Sequence, residues 1–156
     1  MKKSPLFFAC LLSFIFVAAC RDSAFYETNK SISKRSWSYA DTARFDVHVP
    51  DAKAKYAISV NVRHTGSYNY SNLFLLIHEK GPQIKDTAYR YEMKLAELDG
   101  RWTGNTAGNL YDNELLIKDN YTFPDTGIYS FAIEQNMREN PLHDITDIGI
   151  KLVQRP

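Results

Sequence analysis

The chain is poor in thiols. Its two cysteines, Cys10 and Cys20, both fall within the first twenty residues. Beyond Cys20 there is no disulfide, no cysteine-built metal site and no cysteine nucleophile, so stability there must come from packing. No apolar run is long enough to cross a bilayer. The longest, Leu6 to Ala19, has 14 residues, against the roughly 18 to 20 that a spanning helix needs. Neither charge sign dominates: 19 Lys and Arg face 18 Asp and Glu, which implies no nucleic-acid or anionic-lipid surface. No apolar period of 3.6 persists over three turns, which excludes long helices from the body of the chain. The sequence has no GxSxG, SxxK or P-loop, and its histidines, His48, His64, His78 and His143, show no HxH or HExxH spacing. An enzyme, a metal site and a cofactor are therefore not expected.

What is present begins at the amino terminus. Lys2 and Lys3, the apolar run and then Val17-Ala18-Ala19-Cys20 have the order of a secretory leader closed by a bacterial lipoprotein box. Small residues ahead of the cysteine fit a narrow peptidase cleft, and the thiol is the nucleophile that takes up the lipid. The expected organisation is a signal peptide over 1–19, a tether anchored by acylated Cys20 over 20–39, and a domain over 40–156. Two or three acyl chains make such an attachment effectively permanent, since each buried methylene contributes about 0.8 kcal/mol. Loss of Lys2 and Lys3 takes the net charge from +1 to about −1. The expected partner of Cys20 is membrane lipid. A single acid, Asp22, lies near it, and this leans toward a periplasm-facing anchor in the outer membrane.

From residue 41 the dominant period is two, the mark of strands with one buried face. In ARFDVHV, Ala43, Phe45, Val47 and Val49 oppose Arg44, Asp46 and His48. Similar alternation runs through YAISVNVRH, TAYRYEMKL, GIYSFAIEQNM and DIGIKLV, while LFLLIH is apolar on both parities and NELLIK is ambiguous. Seven or eight short strands, rich in β-branched and aromatic residues, predict an all-β fold. Its form is an antiparallel two-sheet sandwich, jelly-roll-like. With 44% hydrophobic residues, ten Tyr and nine Phe, the supply for a core is sufficient.

Several patterns carry possible chemistry. Asp125-Thr126-Gly127 spells an aspartic-protease triplet, but it occurs once, and the Pro124-led turn accounts for it. The carboxylates Asp112, Glu134, Glu139, Asp144 and Asp147 supply no spacing that defines an acid-base pair. Tyr68, Tyr70 and Trp102 with neighbouring Asn and Asp would suit a glycan-binding face if the rings lay exposed and coplanar. The expected interaction surface is either the rim near Arg63, His64, Tyr68 and Tyr70 or the segment of Glu134, Gln135 and Arg138 with Pro141 and Leu142, because interfaces favour aromatic and Arg mixtures.

The lipobox, Asp41-Thr42, Asn61-Val62-Arg63-His64-Thr65, Tyr70-Ser71-Asn72-Leu73, Tyr111-Asp112-Asn113, Phe123-Pro124, Ile133-Glu134-Gln135, Pro141-Leu142 and Asp147-Ile148-Gly149 follow one another in order. Together they resemble the gliding-motility lipoprotein GldH family of Bacteroidetes. The resemblance implies a non-catalytic envelope lipoprotein tied to gliding and to type IX secretion. Other envelope gliding or secretion lipoproteins are its expected partners, and a lipid-anchored glycan-binding module is the alternative. Asp followed by Ser or Thr and a small apolar residue also resembles the Bacteroidetes O-glycosylation sequon, which marks Ser23, Thr42 and Thr87.

Overall fold

Strand alternation becomes two facing sheets. The computed structural model describes residues 24–156; the leader, Cys20 and Ser23 lie outside the described residues. In chain order the elements are β1 (Tyr26–Ser31), a 3-10 turn (Ser33–Arg35), β2 (Ser36–Trp37), β3 (Ala43–Val49), β4 (Lys55–Thr65) and β5 (Asn72–Gly81). They continue with β6 (Ile84–Lys94), β7 (Asn105–Ala107), β8 (Leu110–Tyr121), β9 (Gly127–Gln135), β10 (Leu142–His143) and β11 (Ile145–Arg155).

One sheet runs β1-β11-β4-β8-β7, the other β3-β9-β5-β6, and β2 pairs with β10 apart from both. Every pairing is antiparallel. The long strands β1, β3, β4, β5, β6, β8, β9 and β11 change sheet at every step but one, the β5–β6 hairpin. That interleaving of early and late strands is the doubly Greek-keyed order of a jelly roll. The sandwich therefore has two ends. At the base, β1 begins, β11 finishes and the β5–β6 and β8–β9 turns lie; at the rim, β4 finishes and the β9–β10 loop lies.

The expected tether is corrected here. Residues 26–31 form β1, all six paired with β11, and Trp37 is fully buried, its indole N–H donating to the Asp41 carbonyl at 2.6 Å. The domain thus begins at Tyr26. β1 is an edge strand with only Tyr26 and Thr28 half-buried, so it needs little apolar alternation, and YETNKS reads as a linker. The ambiguous NELLIK segment is the middle of the twelve-residue β8.

Inward side chains from both sheets, including Phe45, Val47, Ile58, Val60, Leu75, Phe131, Ile133, Ile148 and Ile150, fill the core. At the base the packing has no slack. A Cβ on Gly81 would lie 2.2 Å from the Tyr129 ring, and that ring is fully buried with its hydroxyl donating to the Asp125 carbonyl at 2.8 Å. Gly81→Ala is expected to cost about 1–3 kcal/mol as an overpacked site. Urea denaturation checks it, and an unchanged midpoint would show that Tyr129 can move aside.

Candidate functional site

At the rim, β4 carries His64 in the inward register after Ile58, Val60 and Val62. Its ring is fully buried, 4.6 Å from Trp102 edge-on, 5.4 Å from Tyr111 at 17° and 5.5 Å from Tyr68. Nδ1 lies 2.8 Å from the Thr65 carbonyl. A carbonyl only accepts, so Nδ1 carries the hydrogen and Nε2 is left as an acceptor. Among the described residues Nε2 is buried and has no hydrogen-bond partner. Burial holds the His64 pKa below the ordinary imidazole value, against the smaller upward pull of the Thr65 carbonyl.

The β4–β5 loop folds over this ring. Thr65 Oγ1 donates to Asp144 at 2.8 Å and Tyr68 donates to the Asn72 carbonyl at 3.1 Å. Tyr68 is buried and meets Tyr70 edge-on at 5.7 Å. Burial, then the neighbouring Tyr70 and Glu139, push the Tyr68 phenol well above its usual pKa. Tyr70 is exposed and its hydroxyl donates to Glu139 at 2.6 Å, which ties the β4–β5 loop to the β9–β10 loop.

Gln135, the last residue of β9, shapes that second loop from beneath. Its Oε1 accepts from the Met137 N–H at 2.9 Å and its Nε2 donates to the Glu139 carbonyl at 3.0 Å. The buried amide thus fixes both ends of a turn that turns Arg138 outward. The result is a groove lined by Tyr70, Phe74, Arg90, Asn136, Met137 and Arg138. The Arg90 guanidinium lies 3.9 Å from the Phe74 ring centroid, a cation–π placement. Such a groove offers two cationic heads over aromatic and thioether surface, which suits recognition of a peptide with acidic and apolar groups.

The family model for the GldH lipoprotein matches residues 24–152. The chain belongs to the GldH lipoprotein family. A gliding motility lipoprotein GldH homolog of Christiangramia forsetii is 28% identical over 159 residues, spanning 97% of each chain. The gliding motility lipoprotein GldH of Flavobacterium johnsoniae is 28% identical over 152 residues, spanning 93% of this chain and 94% of that one. Among solved structures, a family GH115 4-O-methyl-alpha-glucuronidase overlays with a TM-score of 0.44 and 10% identity, over 85% of this chain and 18% of the other. Membership in a lipoprotein family makes the chain a membrane-anchored protein of the cell envelope.

Within this chain the expected interaction residues divide by depth and face. Tyr70 and Arg138, drawn from segments read as separate candidates, meet in one groove. His64, Tyr68 and Gln135 are buried and support it from below. Arg63 points from the outer face of the five-stranded sheet, bridging Asp112 at 3.1 Å and Asp147 at 3.6 Å. Glu134 lies on the outer face of the other sheet, accepting from Thr42 Oγ1 at 3.0 Å beside His78. The coplanar sugar platform is not formed: Tyr68 is buried, and Trp102 lies at 47° to it, 6.3 Å away. Thr42 and Thr87 are half-buried, and the Thr87 hydroxyl donates to the Lys85 carbonyl at 2.8 Å.

The Asp125 turn holds itself together, its carboxylate accepting from the Thr126 N–H at 2.8 Å and from Gln83 at 3.1 Å. Among the described residues no cluster of three His, Cys, Asp or Glu is placed to hold a metal ion. Sequence reasoning missed Phe74, Arg90 and Met137, which join the groove only through strand pairing across β6, β5 and β9. The signal available was parity: Phe74 is an outward aromatic between the buried Leu73 and Leu75, and Arg90 shares the outward parity of Glu92 and Lys94 on β6.

Proposed function

We propose that this GldH-family chain is a non-catalytic docking component of the gliding-motility apparatus, coupled to type IX secretion. Acylated Cys20 holds it on the periplasmic face of the outer membrane, where it engages another envelope protein. The observation that carries the reading is the groove of Tyr70, Phe74, Arg90, Met137 and Arg138. Aromatic, Met and Arg side chains concentrate binding energy when a partner dries them, and here a buried amide and a Tyr70–Glu139 bond hold them in place before binding. Such preorganisation lowers the ordering cost of association.

The test is crosslinked recovery of envelope proteins from membranes carrying the native chain or Tyr70→Ala/Arg138→Glu. Loss of a hot spot of about 2 kcal/mol or more predicts recovery reduced roughly thirtyfold, with colony spreading and cargo secretion falling alongside. Equal recovery with both chains would remove the groove from the docking role. A buried-side control, Gln135→Ala, should lower recovery by loosening the turn while leaving every groove side chain in the sequence.

A further inference from the structure

We propose that the sandwich stands on its base on the membrane that holds Cys20, with the rim and its groove projecting away from that surface. The proposal rests on acylation of Cys20 and adds the side of the module that meets lipid. Ala24, the first described residue, lies four positions after Cys20, and a fully extended chain of four steps reaches at most about 14 Å. Ala24 leads directly into β1 at Tyr26, which pairs with Leu152 close to the finishing end of β11. The anchor therefore joins the base. β4, which runs from the base to the rim, has 11 residues, a span of about 36 Å. The leash is less than half the height of the module, so the rim cannot reach the bilayer while the base stays attached to it.

Side chains at the base fit an interfacial position. Phe25, 37% exposed, packs its ring 5.6 Å from Tyr56 and so is held rather than free. Ile128, 60% exposed, follows the β8–β9 turn at the same end. Lys53 and Lys55, exposed in and beside the β3–β4 loop among Asp51, Asp119 and Asp125, give this end a mixed charge, and their long stems let the ammonium heads sit at the headgroup level. Lying on the β1 edge is the competing pose that the leash permits. That edge is polar, with Glu27, Asn29 and Lys30 exposed and the Glu27 carboxylate 3.4 Å from Asn61 Nδ2, so it offers lipid no apolar group comparable to Phe25 or Ile128. A standing module places the groove roughly the height of the sandwich above its own membrane, and the partner must present its binding segment at that height.

The described chain has no cysteine, so an introduced thiol there takes a single NBD label. The full acylated chain carrying Ile128→Cys, Asn29→Cys or Leu98→Cys is reconstituted in phosphatidylethanolamine–phosphatidylglycerol vesicles containing doxyl lipid. Leu98 is fully exposed in the β6–β7 connection near the rim, so labelling it disturbs no packing. The expected result is at least fivefold stronger quenching at 128 than at 98, with 29 well below 128. Quenching at 29 equal to that at 128 would establish the edge-down pose and overturn the proposal, as would equal quenching at 98. Intact mass separates the two levels of failure. A chain without acyl mass on Cys20 ends the anchoring reading and this orientation with it, whereas an acylated chain with uniform quenching ends the orientation alone.

Discussion

Glu79→Ala is expected to destabilise the protein by about 3 kcal/mol, while Glu79→Leu combined with Lys118→Met is expected to be near neutral or stabilising. Glu79 follows Leu73, Leu75 and Ile77 on the inward face of β5 and is 5% exposed. Lys118 comes from the opposite sheet and closes an ion pair with it between the two layers. Tyr121 donates to the same carboxylate at 3.3 Å, and the ammonium lies 3.9 Å from the Tyr121 ring. Removing the carboxylate leaves a cation whose side chain is only 22% exposed without its counter-charge, and breaking a buried pair from one side costs about 3–5 kcal/mol. The lower figure applies because Lys118 keeps some contact with water. The double variant removes both desolvation penalties and replaces the pair with apolar volume. Urea denaturation with matched m-values checks this; single and double variants destabilised alike would mean that the pair contributes shape and no compensated charge. After burial, the Glu79 carboxylate is a further cause of the upward pKa shifts of the Tyr91 and Tyr121 phenols, so Glu79→Ala should also bring both values down toward the ordinary phenol.

That pair also shows where a one-dimensional reading stops. Period two places Ile117 with Leu115 on the inner face of β8 and turns Lys118 outward. The strand pairing reads Val60 with Leu115 and Ser59 with Leu116, then Ile58 with Lys118. Ile117 is the extra residue of a bulge, and directly paired residues share a face, so Lys118 is rotated inward opposite Ile58. A bulge depends on what the neighbouring strand demands, which no pattern inside NELLIK reveals. β3, β4, β9 and β11 were legible because each sends its large apolar side chains to the core on one parity: Phe45, Val60, Phe131 and Ile150 all lie where parity puts them, although only β3 alternates without a break. β1 was illegible for the opposite reason, since an edge strand with one flank in water hides little apolar area. For the groove, Tyr70 and Arg138 were visible as residue types. Their meeting depends on the local turn that Gln135 fixes and on the Tyr70–Glu139 bond, which joins residues 69 positions apart and exists only in the folded topology.

Acid should weaken the native fold more than the fold of His64→Phe. The imidazole of His64 has its pKa lowered by burial, so the folded chain favours the neutral form while the unfolded chain titrates near the ordinary value of about 6.5. Above that pH both states hold neutral imidazole and the contribution is complete. As pH falls below it, the unfolded chain binds a proton that the folded chain resists, and stability is lost with a slope of up to about 1.4 kcal/mol per pH unit until the folded value is passed. Phenylalanine keeps the ring among Trp102, Tyr111 and Tyr68 and removes the unpartnered Nε2, while the Thr65 carbonyl loses the imidazole N–H and keeps the Tyr68 N–H at 3.2 Å. At pH 8 the two chains should therefore differ by no more than about 1–2 kcal/mol, and the gap should move in favour of the variant on acidification. Every other side chain is common to the two chains, so the difference between the two curves isolates His64. Parallel curves from pH 8 to pH 5 would show that water reaches Nε2 in the folded state. Since Tyr68 lies on this ring and Tyr70 on Tyr68, the same acid step should loosen the groove. Recovery of the docking partner should then fall with pH in the native chain and hold steady in His64→Phe.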